Sequence, residues 1–223
     1  MPEVSVILTS YNKPQWIGEA IESVLNQTFV DFELLIMEDN SSDPKVLEKI
    51  NEYITDSRIK LYNSDVLEED RKKLCRYAYL INLAVKTIST GDFITYLADD
   101  DLYYKDRLER MVSFLKETNH KVVYGNQDVA DIELNVRGVR GPFGIVESGW
   151  NLIDHNSVMH SRDVFFEAGG WDEDPGTWGG SDSYFWDRIK NAGYQFYPLD
   201  GAPTDLKRYH EQSVQWLITN NLF

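Results

Sequence analysis

Short runs of β-branched and aliphatic residues alternate along the first half of the chain with stretches whose apolar positions recur every three or four residues. Val4 to Thr9, Phe32 to Met37, Ile59 to Tyr62 and Phe93 to Leu97 are too short and too uniformly apolar to be surface strands, so each reads as a strand buried on both faces. Between them lie amphipathic helical patterns: Ile17, Ala20, Ile21, Val24 and Leu25 after Pro14; then Val46, Ile50 and Ile54; then a helix from about Leu74 to Ile88. A further helix carries Leu108, Met111, Val112 and Leu115, and Val122 to Tyr124 reads as another strand. Strand–helix alternation requires crossover connections, which build a mainly parallel sheet with helices on both faces, an α/β fold.

Beyond Tyr124 the alternation fades. Val136 to Gly149 holds four glycines and Pro142, which predicts a flexible loop or an irregular hairpin and not a linker between domains. At 223 residues the chain is expected to form one domain spanning 1–223. Open parallel sheets bind ligands beyond the carboxyl ends of their strands. Thr9, Tyr11, Asp39, Asp99 and Asp100 all follow strands, so the topology predicts that they share one rim.

A formal net charge of -15 disfavours nucleic acid and anionic membrane surfaces. An anionic small ligand would need local rescue, from a few Arg or Lys residues or from a divalent cation held by carboxylates. One cysteine, Cys75, excludes a disulfide framework and a multi-cysteine zinc site. The start MPEVSVILTS lacks a basic leader with a long apolar core, and no stretch of about 18 apolar residues occurs, so no transmembrane segment and a cytoplasmic location are expected.

Asp99, Asp100 and Asp101 stand in a row just past the fourth strand. Three adjacent carboxylates repel one another, and a hard cation such as Mn²⁺ or Mg²⁺, bridging protein oxygens to a diphosphate, removes that cost. The competing reading is an acidic strand-to-helix turn in which Asp101 caps the next helix.

VSVILTSYNKPQWIGEAIESVLNQTFVDFELLIMEDNSSD near the start, GDFITYLADDDLYYKDRL in the middle, and GGWDE followed by SDSYFWDRI later resemble the family 2 glycosyltransferases of the GT-A fold. IDHNSVMH and YPLD bring the chain nearest to the spore-coat polysaccharide branch of that family. The resemblance implies a Rossmann-like nucleotide-binding half (1–101) and an irregular acceptor-binding half (102–223). It places Thr9, Tyr11, Asp39, Arg71 and Asp99 around the nucleotide, with Tyr11 stacked on the base.

The family's Asp-X-Asp pattern begins here at Ala98, so its second carboxylate falls on Asp100, the expected metal ligand, with His210 as a further candidate. Asp182 matches the family's inverting base. An aspartate in the first turn of a helix is also an ordinary arrangement. Asp154 and His155 are expected on the donor or acceptor sugar, and among Trp150, Trp171 and Trp178 one, Trp178, is taken as a sugar-stacking face.

The implied activity is metal-dependent, inverting transfer of a sugar from a nucleotide-diphosphate donor, UDP-sugar favoured, to a glycan or other hydroxyl acceptor. Two alternatives stand beside it. A sugar nucleotidyltransferase would begin with a Gly-rich basic loop, which Ser10-Tyr11-Asn12-Lys13-Pro14 is not. A binding module without turnover would follow from the missing carboxylate at Ala98. A dinucleotide-binding enzyme is excluded, because no G-x-G-x-x-G follows the first strand.

Overall fold

The computed structural model describes residues 1–211 and 213. Strand β1 (Val4–Ser10) leads to helix α1 (Ile17–Leu25), β2 (Phe32–Glu38) to α2 (Lys45–Asn51), and β3 (Ile59–Asn63) to a 3-10 turn (Glu68–Lys73) and α3 (Arg76–Thr87). After β4 (Phe93–Ala98) come the short β5 (Leu102–Tyr103), α4 (Arg107–Thr118), β6 (Val122–Tyr124), β7 (Gln127–Ala130) and β8 (Val136–Arg140). The chain then forms β9 (Val158–Ser161), α5 (Arg162–Ala168), α6 (Ser181–Asn191), β10 (Tyr197–Pro198) and β11 (Asp205–Arg208).

The main sheet has the order β10-β6-β9-β4-β1-β2-β3. Strands β3, β2, β1 and β4 are parallel, as the crossover pattern requires, and β9 is inserted antiparallel between β4 and β6. Side chains alternate across β1. Val4, Val6 and Leu8 enter a core formed with α1, α2 and α4, while Ile7 faces the opposite core, built from α3, α5 and α6. On α1, Ile17, Ala20, Ile21 and Val24 form the buried stripe, and each of its isoleucine and valine side chains contributes about 1.5–3 kcal/mol by leaving water.

Two elements differ from the sequence expectation, and a third takes the form it predicts. Glu68–Lys73 winds into a 3-10 turn instead of a loop. Helix α3 starts at Arg76, because Leu74 and Cys75 are extended and the Cys75 N–H bonds Glu173 O at 2.8 Å. Residues 136–140 pair with β7 as a hairpin whose register shifts between Val129 and Ala130, the irregular form expected for that glycine-rich segment.

A second sheet, β5-β11-β7-β8, carries this hairpin beside the carboxyl edge of the main sheet. Its attachment depends on one glycine. A Cβ on Gly125 would lie 1.9 Å from Thr204 Oγ1, so only glycine admits the strand that leads into β11. Among the described residues no helix is long and apolar enough to cross a membrane.

Candidate active site

The polar residues that follow β1, β2 and β4 do share one rim. Parallel registry sets Thr9 opposite both Met37 and Ala98, so the loops that leave the three strands start side by side. Asn12 and Asn40 take left-handed backbone (φ 54 each), which asparagine tolerates better than most residues, and this turns both loops over the strand ends. The loops are laced together: Asn12 N–H donates to Ser41 Oγ at 2.9 Å, and Asn12 Oδ1 accepts from Asp43 N–H at 3.2 Å.

Three groups of side chains stand on this rim. In the first, Asp39 is gripped by two arginines. Arg71 donates to its carboxylate at 2.6 Å and to its backbone carbonyl at 2.6 Å, and Arg76 donates to the carboxylate at 2.5 Å. The Arg71 guanidinium also lies 3.6 Å from the centre of the Tyr11 ring. Arg71 therefore is no solvated charge from the EEDRKK run but is buried on Asp39 and Tyr11. It covers one face of the ring expected to stack on a base.

The second group is the carboxylate triplet, and its three members are not equivalent. Asp99 accepts the Tyr11 N–H at 2.8 Å, which ties the end of β4 to the first loop. Lys13 Nζ bridges Asp99 Oδ1 at 3.0 Å and Asp100 Oδ2 at 2.6 Å. The same Asp100 oxygen accepts from His210 Nε2 at 2.8 Å, so Nε2 carries the proton in this arrangement. His210 is held against Trp16, ring centres 4.0 Å apart.

Asp101 points away from the rim: it accepts from Arg208 N–H at 2.7 Å and from Asn156 Nδ2, fastening β11 and the residues before β9 to the end of β4. Burial pushes the Asp99 carboxyl up to about 6, against the pull of Lys13. Burial acts the same way on Asp100, but Lys13 and the His210 hydrogen bond outweigh it and hold that carboxyl well below its ordinary range. Asp101 is raised by burial and by the neighbouring Asp100 charge.

The third group brings together Asp154, His155, Trp178 and Asp182 from the second half of the chain. Asp154 accepts from Lys207 at 2.5 Å and lies 3.7 Å from His155 Nδ1. Burial opposes its ionisation, yet Lys207 and His155 hold its carboxyl low. Asp182 sits in the first turn of α6, its Oδ1 accepting its neighbour's Ser183 N–H at 2.8 Å. Burial raises its pKa, the nearby His155 imidazole counters this, and the Asp154 charge adds to the rise. Such a carboxylate is a stronger base than a solvated one.

Tyr77 organises the loop before Asp182, donating to Trp178 O at 3.3 Å and accepting from Ser181 N–H at 3.1 Å. Trp178 packs edge-on against the same tyrosine, and Tyr77 also faces the His155 ring. Trp171, one of the three tryptophans weighed as a sugar platform, belongs to the core instead, 5.3 Å from the Phe185 ring. Trp150 is partly exposed beside Tyr184.

Lys13, Arg76 and Tyr77 are the site residues that the sequence did not single out. Lys13 offered one signal, as the cation in the loop that follows β1.

Asp100 and His210 meet as an oxygen–nitrogen pair, of which the carboxylate oxygen is the ligand type that Mn²⁺ and Mg²⁺ prefer. Among the described residues no group of three or more His, Cys, Asp or Glu side chains forms a complete metal cage. A pair of this kind fits an ion that takes its remaining ligands from substrate phosphates and water.

The family model "Glycosyl transferase family 2" matches residues 5–169. Protein CgeD of Bacillus subtilis is 40% identical over 201 residues, covering 85% of this chain and 46% of CgeD. The putative glycosyltransferase EpsE of the same organism is 30% identical over 90% of this chain and 71% of its own length. An Escherichia coli protein named UDP-Glc:alpha-D-GlcNAc-diphosphoundecaprenol beta-1,3-glucosyltransferase WfgD is 36% identical over 63% of this chain and 50% of its own. The chain thus spans about half the length of CgeD and WfgD. Among solved structures, S. aureus TarS 1-349 in complex with UDP-GlcNAc superposes with a TM-score of 0.75 at 18% identity, over 95% of this chain and 60% of that one. The fold is GT-A.

Proposed function

The chain belongs to glycosyl transferase family 2, and from that membership we propose that it moves a sugar, with inversion, from a UDP-sugar to a hydroxyl of a glycan or similar acceptor. The observation that carries this reading is the meeting on one sheet edge of the arginine-clamped Asp39, the Asp99–Asp100 pair and the desolvated Asp182. UDP is the favoured nucleotide because TarS, of the same fold, was solved with UDP-GlcNAc and WfgD is named for UDP-glucose.

The roles follow from the chemistry of each group. Thr9, Tyr11, Asp39 and Arg71 receive the base and ribose, the Tyr11 ring offering its open face and Asp39 its carboxylate. Asp99 steadies the ribose side through its bond to the Tyr11 backbone. Asp100 and His210 would hold Mn²⁺ or Mg²⁺, which when bound neutralises charge on the diphosphate.

Asp182 takes the proton of the acceptor hydroxyl as its oxygen bonds to the anomeric carbon. The bond from that carbon to the diphosphate oxygen breaks, and its electron pair leaves with the nucleotide. Asp154, His155 and Trp178 contact the sugars beside Asp182. Residues 1–101 thus serve the nucleotide and 102–223 the acceptor, with His210 reaching back to the first half.

A thermal-shift panel of UDP, GDP and dTDP, each with and without Mn²⁺, tests the assignment. The matching nucleotide at about 100 times its dissociation constant should stabilise the fold by about 2.7 kcal/mol. Absence of a shift with every nucleotide would defeat it.

A further inference from the structure

We propose that Lys13 is a built-in counter-cation of the carboxylate pair, displaced from Asp100 when the divalent ion and the nucleotide diphosphate enter, so that metal and nucleotide binding are coupled through this one side chain. The proposal rests on the functional reading above and adds to it a residue and an order of events.

The geometry leads there directly. Lys13 Nζ contacts a carboxylate oxygen on each of two adjacent aspartates, 3.0 Å from Asp99 and 2.6 Å from Asp100. Asp100 Oδ2 already accepts from His210 at 2.8 Å, so both of its lone-pair directions are engaged. An ion shared by Asp100 and His210 takes the place of the Nε2 proton, and its charge repels the ammonium that stands 2.6 Å from the same oxygen. The carboxylates are nearly sealed, with side chains 5% and 6% exposed, while the Lys13 side chain is 19% exposed. Lys13 is thus the member of the cluster with a path outward.

It also has somewhere to go. Its loop opens onto the rim where a diphosphate would arrive, and the displaced ammonium gains an anionic partner there as it leaves Asp100. Without a nucleotide, a metal ion must expel Lys13 with no new partner for it. With a nucleotide, the exchange roughly conserves ion pairing. Linkage then requires the nucleotide and the metal to favour each other by the same factor.

Mn²⁺ binding to nucleotide-free protein, followed by loss of the free-ion electron paramagnetic resonance signal, separates the possibilities. Lys13→Met should bind Mn²⁺ at least about tenfold tighter than wild type, a change of about 1.4 kcal/mol. Saturating UDP should tighten Mn²⁺ binding by a larger factor in wild type than in Lys13→Met. Lys13→Arg, which keeps the charge, should retain weak Mn²⁺ binding.

Equal or weaker Mn²⁺ binding by Lys13→Met overturns the proposal, and so does an equal gain in Lys13→Arg. If Lys13→Met does not fold, acylation of wild-type lysines followed by mass spectrometry gives the answer. Labelling of Lys13 should rise on addition of MgCl₂ against an NaCl control of equal ionic strength, and an unchanged level counts against displacement. Wild type that binds no UDP under any condition refutes the functional reading, while the Mn²⁺ comparison still decides the role of Lys13.

Discussion

The Tyr77 hydroxyl lies 3.1 Å from the backbone nitrogen of Ser181, the residue before the proposed base, and its own proton goes to Trp178 O at 3.3 Å. A single side chain from α3 thus fixes both ends of the short turn that presents Asp182. Burial keeps the phenol protonated far above its ordinary range, so this bonding pattern does not change with pH. Tyr77→Phe removes two hydrogen bonds, each worth about 1 kcal/mol net, that reach the turn before Asp182 and not Asp39. The expected outcome is a several-fold loss of kcat with UDP affinity preserved, checked by steady-state kinetics beside calorimetric UDP binding. A loss confined to UDP affinity would refute this positioning role.

Asp182→Asn keeps the shape of the side chain and removes its basicity. Transfer should fall by about 10²–10⁴, with the UDP-induced thermal shift intact. Because burial raises the Asp182 pKa, wild-type kcat/KM should decline as pH falls through a value above the usual aspartate range. That acid limb should vanish in Asp182→Asn. Near-normal transfer by the variant would transfer the base assignment elsewhere.

Asp39→Ala leaves the Arg71 and Arg76 guanidinium groups buried without their shared carboxylate. The variant should lose about 3–5 kcal/mol of stability in urea unfolding, the range for a buried pair deprived of one partner. UDP should no longer raise its melting temperature. Arg71→Ala, which leaves Arg76 on Asp39, should cost less stability and still weaken UDP.

His160 gives a pH prediction independent of the active site. Its Nδ1 bonds Ser161 O at 2.8 Å and its Nε2 meets the Tyr96 hydroxyl at 2.7 Å. A carbonyl only accepts, so Nδ1 carries the proton and a neutral Nε2 accepts from Tyr96. Burial pulls the pKa from 6.5 down to about 4. The unfolded chain therefore takes up a proton first on acidification. Stability tied to the neutral ring is fully present above pH 6.5 and is lost as pH falls toward 4, up to about 3 kcal/mol. Urea unfolding of wild type and His160→Asn at pH 7, 5.5 and 4.5 should show the gap between them narrowing with acid. A constant gap would contradict this.

What the sequence made legible was local and periodic. The strands from β1 to β4 and the rim after them follow from apolar runs and the crossover rule, which bring Tyr11, Asp39 and Asp99 to one edge before any contact is known. Arg76 and Tyr77 were hidden because they sit in the first turn of an amphipathic helix, where their side chains read as helix surface. Only the fold reveals that Arg76 turns back to Asp39 and that Tyr77 spans to residues 178 and 181. Strands β5, β10 and β11 are too short to carry a periodic signal, and the direction of β9 cannot be told from VMHS. The inequality within the aspartate triplet, with Asp101 fastening β11 and Asp100 facing the rim, likewise depends on partners more than fifty residues away.

The antiparallel insertion of β9 has a bearing on how the chain is made. Strand β4 gains its second neighbour only when Phe93, Ile94 and Thr95 meet Ser161, His160 and Met159. A nascent polypeptide that has emerged only through the aspartate triplet carries an apolar strand with one open edge, and the later residues Trp171 and Phe185 that cover Tyr96 have yet to be translated. Until β9 pairs with it, the edge of β4 stays open, and an apolar strand with an open edge is a template for pairing with other chains.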